Sequence, residues 1–214
     1  MYKNKISSRL LITAAAFACV LAAIICWLVY ANNTEPLAVD TVVRDWFVSA
    51  RTSFLNIVVI GITHCRDTVT IIALCVFLLI LPNRKTYGLP VSLAALAGVA
   101  IYKPMKELFL RARPDTAIHL VEQGGYSFPS GHSVSSVIVY GLLLYLVRKH
   151  CRSEKLKTVL TIACTCLMLL IGPSRLYVGV HWITDVTCGM LIGTAVVALT
   201  IIILERKKNN ENLR

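Results

Sequence analysis

Charge is what this chain has least of. Of its 214 residues only 15% are charged, 57% are hydrophobic, and mean hydropathy is +0.70. Such a balance excludes a soluble domain of this length and requires most of the surface to meet lipid. Acidic residues are the scarcest, 11 against 22 Lys and Arg, and no carboxylate cluster suggests a magnesium or two-metal site. No basic helix is interleaved with aromatics, so the net charge of +11 does not point to nucleic acid. Internal repeats and low-complexity segments are also missing. Cysteine is present, but Cys19, Cys26, Cys75, Cys164, Cys166 and Cys188 lie inside apolar runs and read as small hydrophobes. Cys164 and Cys166 have poor metal spacing and no histidine nearby, so neither zinc nor disulfides are expected.

What the chain does have is long apolar sequence, and a spanning helix needs about 20 such residues. The expectation is an all-α, integral-membrane bundle of six transmembrane helices, forming a single membrane-embedded domain over residues 1–214. Spans are expected at about 10–31, 66–82, 88–110, 133–148, 158–173 and 182–204. The first run exceeds the apolar core of a signal peptide, so it reads as a retained helix although Val29-Tyr30-Ala31 loosely resembles a cleavage site. Residues 54–65 are apolar but short, and Arg66-Asp67 interrupts them, so they read as an interfacial segment. One helix over 54–82 is the alternative, with those charges placed near mid-membrane at some cost. Pro104 is expected to kink the third span, and Gly189 and Gly193 to form a close packing face.

Orientation follows from the basic loops. The N-terminus (Lys3, Lys5, Arg9), residues 83–87, residues 148–157 and the C-terminal tail hold 14 of the 22 Lys and Arg. All four segments fall on one side of a six-helix bundle, which is therefore expected to be cytoplasmic, with both termini inside. Trp27, Trp46 and Trp182 fall on or near the opposite side, as interfacial anchors would.

Three polar clusters share that outer side. Lys106 and Arg113, seven apart, would lie on one side of a helix after two turns, although both could simply snorkel to head groups. Pro129-Ser130-Gly131-His132 reads as a helix start with Ser130 as N-cap, and such a terminus presents free N–H groups to an anion. His181 and Asp185, four apart, share a helix face, where a carboxylate can hold one imidazole nitrogen and leave the other free. Arg175 precedes them by a short loop. Together these groups suit phosphoryl transfer: cations for the equatorial oxygens, one histidine to attack, one to protonate the leaving oxygen.

Written as motifs, Lys106–Pro114 is K-x6-R-P, Pro129–His132 is P-S-G-H, and Ser174–Asp185 is S-R-x5-H-x3-D. The set resembles the three-part signature of the type 2 phosphatidic acid phosphatases, shared with vanadium haloperoxidases and glucose-6-phosphatase. That resemblance extends over nearly the whole chain and, within the family, is greatest to small bacterial phosphatidylglycerophosphatase B-type enzymes. It implies that His181 is the nucleophile, Asp185 its orienting partner, and His132 the general acid and later base. It further implies phosphate binding by Lys106, Arg113, Ser130, Gly131 and Arg175, with no metal or other cofactor. The implied substrate is a phosphorylated membrane lipid, such as phosphatidylglycerol phosphate, phosphatidic acid or undecaprenyl diphosphate. The implied location is a bacterial cell membrane with the site outside. Phosphate transfer to another lipid, and a lipid transporter or binding scaffold without turnover, are the competing readings. Arg111 lies outside the pattern.

Overall fold

In hydrocarbon every backbone N–H and C=O must be paired within its own segment, so long apolar runs fold as helices. In the computed structural model, which describes residues 7–211 and side chains through Lys207, the described residues form eight α-helices and no strand. These are α1 (Ser8–Ala31), α2 (Ala38–Ser49), α3 (Ser53–His64), α4 (Thr68–Ile80), α5 (Gly88–Phe109), α6 (Gly131–His150), α7 (Glu154–Tyr177) and α8 (Ile183–Glu211). Lys3, Lys5 and Arg214, which enter the orientation argument, lie outside the described residues, as does the side chain of Lys208.

Helices α1, α5, α6, α7 and α8 are each long and apolar enough to cross a membrane. The second expected crossing takes a different form. Helices α3 and α4 reach that length only as a pair, bent by 46°. Helix α4 alone has 13 residues, about 20 Å of helix, which is less than a hydrocarbon layer. Residues 54–65 are thus the first arm of a bent pair, and Arg66 and Asp67 occupy the bend. The bend is fixed to α6 at two points: Arg66 Nη2 donates to Ser135 Oγ at 2.7 Å, and Tyr140 Oη donates to Cys65 O at 2.6 Å.

Helix α6 is the axle of the bundle, with α5, α7 and α8 packed around it. Being enclosed by protein, it carries buried Ser133, Ser135 and Ser136 without presenting hydroxyls to lipid. The expected close approach at Gly189 and Gly193 is present. A Cβ at Gly189 would lie 2.7 Å from Ser130 O, and one at Gly193 would lie 2.7 Å from Val137 Cβ. Helix α1 lies along α8, burying the small residues Ala15, Ala18 and Ala22 and turning Phe17, Val20 and Trp27 outward.

Two boundaries differ from expectation with consequences for the site. Helix α7 continues through Pro173 to Tyr177, so Ser174 and Arg175 belong to its last turns and not to a following loop. Its end is held by tertiary contacts: Arg51 Nε and Nη2 donate to Tyr177 O at 3.0 and 2.7 Å, cationic capping of the negative end of the helix dipole. Helix α5 stops at Phe109, with Leu110 left-handed at φ 51°, so Arg113 lies in extended chain beyond it. Trp182 is no interfacial anchor. It is buried, and its indole N–H donates to Ala112 O at 2.9 Å.

Candidate active site

A cavity of about 570 Å³ opens between the bend, α5, the 123–126 loop and the start of α6. Its lining includes Arg66, Lys106, Arg113, Gly131, His132 and His181. The three sequence clusters therefore meet, although not all by the geometry anticipated. Lys106 reaches the cavity from α5, whereas Arg113 reaches it from the irregular chain that follows Leu110.

Helix α6 begins where expected. Ser130 is its N-cap, accepting from the Ser133 N–H at 3.4 Å, and the Ser130 N–H donates to Asp185 O at 3.1 Å. That second bond ties the start of α6 to the start of α8, and hence His132 to His181. Gly131 is less a flexible link than a close-approach residue, since a Cβ there would lie 2.8 Å from Tyr102 Cε2. Gly179, at φ 79°, makes the turn from α7 back toward His181, where a Cβ would meet Ile118 O at 2.7 Å.

His181 is held at both ring nitrogens. Nδ1 lies 3.2 Å from Asp185 Oδ2, and Nε2 lies 3.3 Å from Arg113 Nη1. Burial, followed by the charges of Arg113, Lys106 and Arg175, pushes its pKa well below the ordinary 6.5, so the ring is neutral at neutral pH. With Nδ1–H donated to Asp185, Nε2 carries the lone pair.

The cations around it have mostly neutral partners. Arg113 donates to the carbonyls of Gly125 (2.8 Å), Val180 (2.7 Å), Gly124 (3.1 Å) and Tyr126 (3.0 Å). Lys106 Nζ donates to Tyr126 O and, at 3.1 Å, to Ser127 O. Arg175 donates to Thr63 Oγ1 at 2.8 Å and Gln123 Oε1 at 2.5 Å, while its buried Nε has no partner. Carbonyls and hydroxyls satisfy the donors without cancelling their charge. Burial accordingly lowers the Arg113 pKa to about 10. The concave face carries uncancelled positive charge.

The carboxylate that would cancel this charge is held elsewhere, by residues the sequence did not reveal. Arg111 is fully buried and bridges two aspartates, with Nη1 at 2.6 Å from Asp185 Oδ1 and Nη2 at 2.7 Å from Asp40 Oδ2. Asp40, on α2, also accepts from the Thr184 N–H at 3.0 Å. Asp185 Oδ2 takes the Trp182 N–H at 2.9 Å, closer than His181. A partner for Asp185 was expected and His181 is within reach, but the closest bond is to Arg111. Nothing in the spacing pairs Asp40 with Arg111 across 71 positions.

Comparison with known proteins identifies the family. Residues 87–209, more than half of the chain, match the PAP2 superfamily. The chain belongs to that superfamily. Phosphatidylglycerophosphatase B of Bacillus subtilis is 35% identical over 158 residues, 72% of this chain and 77% of that protein. An undecaprenyl-diphosphatase of Sulfolobus acidocaldarius is 28% identical over 129 residues, 58% of each chain. The crystal structure of the transmembrane PAP2-type phosphatidylglycerolphosphate phosphatase from Bacillus subtilis superposes with a TM-score of 0.78 at 28% identity, covering 90% of this chain and 96% of that one. Aquifex aeolicus LpxE shares the fold, with a TM-score of 0.62 at 24% identity, over 78% and 97% of the two chains. This PAP2 protein is a multi-pass membrane lipid phosphatase, a phosphoric ester hydrolase.

Proposed function

We propose that the protein dephosphorylates a phosphomonoester or diphosphate lipid at the outer face of a bacterial cell membrane, through a phosphohistidine on His181 and without a metal ion. Phosphatidylglycerol phosphate, phosphatidic acid and undecaprenyl diphosphate are the candidate substrates. The observation that carries the reading is the His181 imidazole, with Nδ1 3.2 Å from Asp185 Oδ2 and Nε2 3.3 Å from Nη1 of the cavity-facing Arg113.

The terminal phosphoryl group is held by Lys106, Arg113 and the free N–H groups at the start of α6, Gly131 among them, with Arg175 and the Ser130 hydroxyl, both buried and outside the cavity lining, completing the set. Nε2 of His181 attacks phosphorus, the bond to the leaving oxygen breaks, and His132 gives that oxygen a proton. Water then attacks the phosphohistidine, His132 takes the water's proton, and the N–P bond breaks to release phosphate. The cations stabilise the equatorial oxygens in both steps, work that a metal ion performs in other phosphatases. Arg111 positions Asp185 and does not touch phosphate. The basic segments at the far helix ends, including Arg84, Lys85, Arg148, Lys149 and Arg152, support a cytoplasmic assignment for that side of the single phosphatase domain proposed for residues 1–214.

Purified protein should release phosphate from one of these lipids in the presence of EDTA, and His181→Ala should not. Full activity in His181→Ala would reject the nucleophile. Loss of wild-type activity on chelation would reject the metal-free mechanism. Products analysed with and without an acceptor lipid separate hydrolysis from transfer.

A further inference from the structure

His132 has an unfilled requirement of its own. Its Nε2 is buried, inaccessible and without a hydrogen-bond partner. The nearest carboxylate oxygen recorded for it is Asp67 Oδ1, 3.7 Å away and just beyond hydrogen-bond reach. Since Nε2 is sealed from the cavity that His132 lines, Nδ1 is the nitrogen left to face substrate. The position of Asp67 is not incidental. The bend that carries it is anchored on α6 through Arg66–Ser135 and Cys65–Tyr140, one and two turns beyond His132. Its other oxygen, Oδ2, lies 2.6 Å from Nδ1 of His64, which is mostly solvent-exposed.

We infer that Asp67, at the α3–α4 bend, is the positioning residue of the general acid, accepting the Nε2–H of His132 while His64 holds Asp67 in place. The inference rests on the histidine-phosphatase reading above. The bond closes as His132 takes up its second proton, and catalytic hydrogen bonds often tighten from such lengths when the substrate complex forms. With Nε2–H committed to Asp67, neutral His132 presents a lone pair at Nδ1 to water, and protonated His132 presents an N–H to the leaving oxygen. Asp67 also opposes the surrounding positive charge of Arg66 on the same bend, Arg175 on α7 and Arg113 beyond α5, with His181 as the further titratable neighbour. Lys103, Lys106 and Glu107 of α5 line the same cavity. His132 would otherwise have to become cationic among cations.

The test is a leaving-group comparison on the full-length protein in detergent micelles. The P–O bond of phosphatidic acid breaks to release a diacylglycerol alkoxide that needs a proton, whereas that of p-nitrophenyl phosphate releases a stable phenolate that does not. Asp67→Asn should lower kcat/KM, which reports the phosphorylation step and excludes water's later attack, by about 100-fold on phosphatidic acid and by less than about 3-fold on p-nitrophenyl phosphate. Asp67→Glu should recover much of the difference. His64→Gln, on an exposed side chain, should show the same selectivity at about 3- to 10-fold, and it carries the test if Asp67→Asn does not fold. Equal losses on both substrates, or none on either, would overturn the assignment of Asp67. Wild-type protein inactive on both, or unaffected by His181→Ala, would overturn the parent reading instead.

Discussion

The two cavity histidines are served by aspartates in opposite circumstances. Asp185 is wholly buried, bonded to Arg111 and the Trp182 N–H, and backed through Arg111 by a second buried acid, Asp40. Asp67 is 42% exposed, sits on a helix bend, and answers to a surface histidine. The difference matches the work proposed for each ring. A nucleophile must keep one tautomer and one direction, which a dry, rigid ion network provides. A general acid must lose and regain a proton every turnover, which favours a carboxylate that water can reach and a joint that can close.

The contrast can be broken most forcefully on the buried side. Asp185→Asn should lower kcat by about 10³- to 10⁴-fold, because an amide no longer fixes the His181 tautomer. Steady-state kinetics would check it, and a loss as mild as that of Asp67→Asn would erase the distinction. Arg111→Met leaves two buried carboxylates without their cation and should cost about 3–5 kcal/mol of stability, read by thermal melting. Adding Asp40→Leu should recover part of that stability but not the rate. Asp67→Asn, by contrast, should leave stability within about 0.5 kcal/mol, since its site is partly solvated.

Two smaller effects sharpen the electrostatic side. Phosphate or vanadate at about 100 times its dissociation constant should stabilise the fold by about 2.7 kcal/mol, because it neutralises cations that now repel. No shift in melting temperature at millimolar anion would argue against a preformed receptor. For pH, the sign follows from His181. Its folded pKa lies below the ordinary 6.5, so between the two values the unfolded chain binds a proton that the native protein does not. Its contribution to stability is therefore complete above 6.5 and is lost as pH falls from there toward the folded value. Melting temperature should decline across that window in wild type and less in His181→Gln. The free enzyme should likewise show no acid limb near pH 6.5 on account of His181.

Much of this was legible beforehand, for identifiable reasons. Apolar runs longer than a bilayer is thick have few options, so α1, α5 and α6 fall within a few residues of expectation and α8 starts where expected, running on to Glu211. Ser130 was readable as a cap because its chemistry is local, and His181 with Asp185 because four residues make one helical turn. The end of α7 was not legible, because the helix runs through Pro173 and its last residue, Tyr177, is held by Arg51, 126 positions away. Trp182 looked like an anchor from its place in the chain, yet it is walled in beside Arg111, whose guanidinium lies 5.9 Å from its ring.

By itself the sequence determined the solvent this protein lives in, the helices that solvent demands, and the residue types able to hold and attack a phosphoryl group. Those properties are local, set by hydropathy and by spacing within a turn or a short motif. Only the tertiary structure decided which charge neutralises which. It gave Asp185 to Arg111 and Asp40, left Lys106, Arg113 and Arg175 to carbonyls and hydroxyls, and set Asp67 beneath His132. Ion pairing depends on distances across the packed bundle, and no periodicity along the chain encodes them.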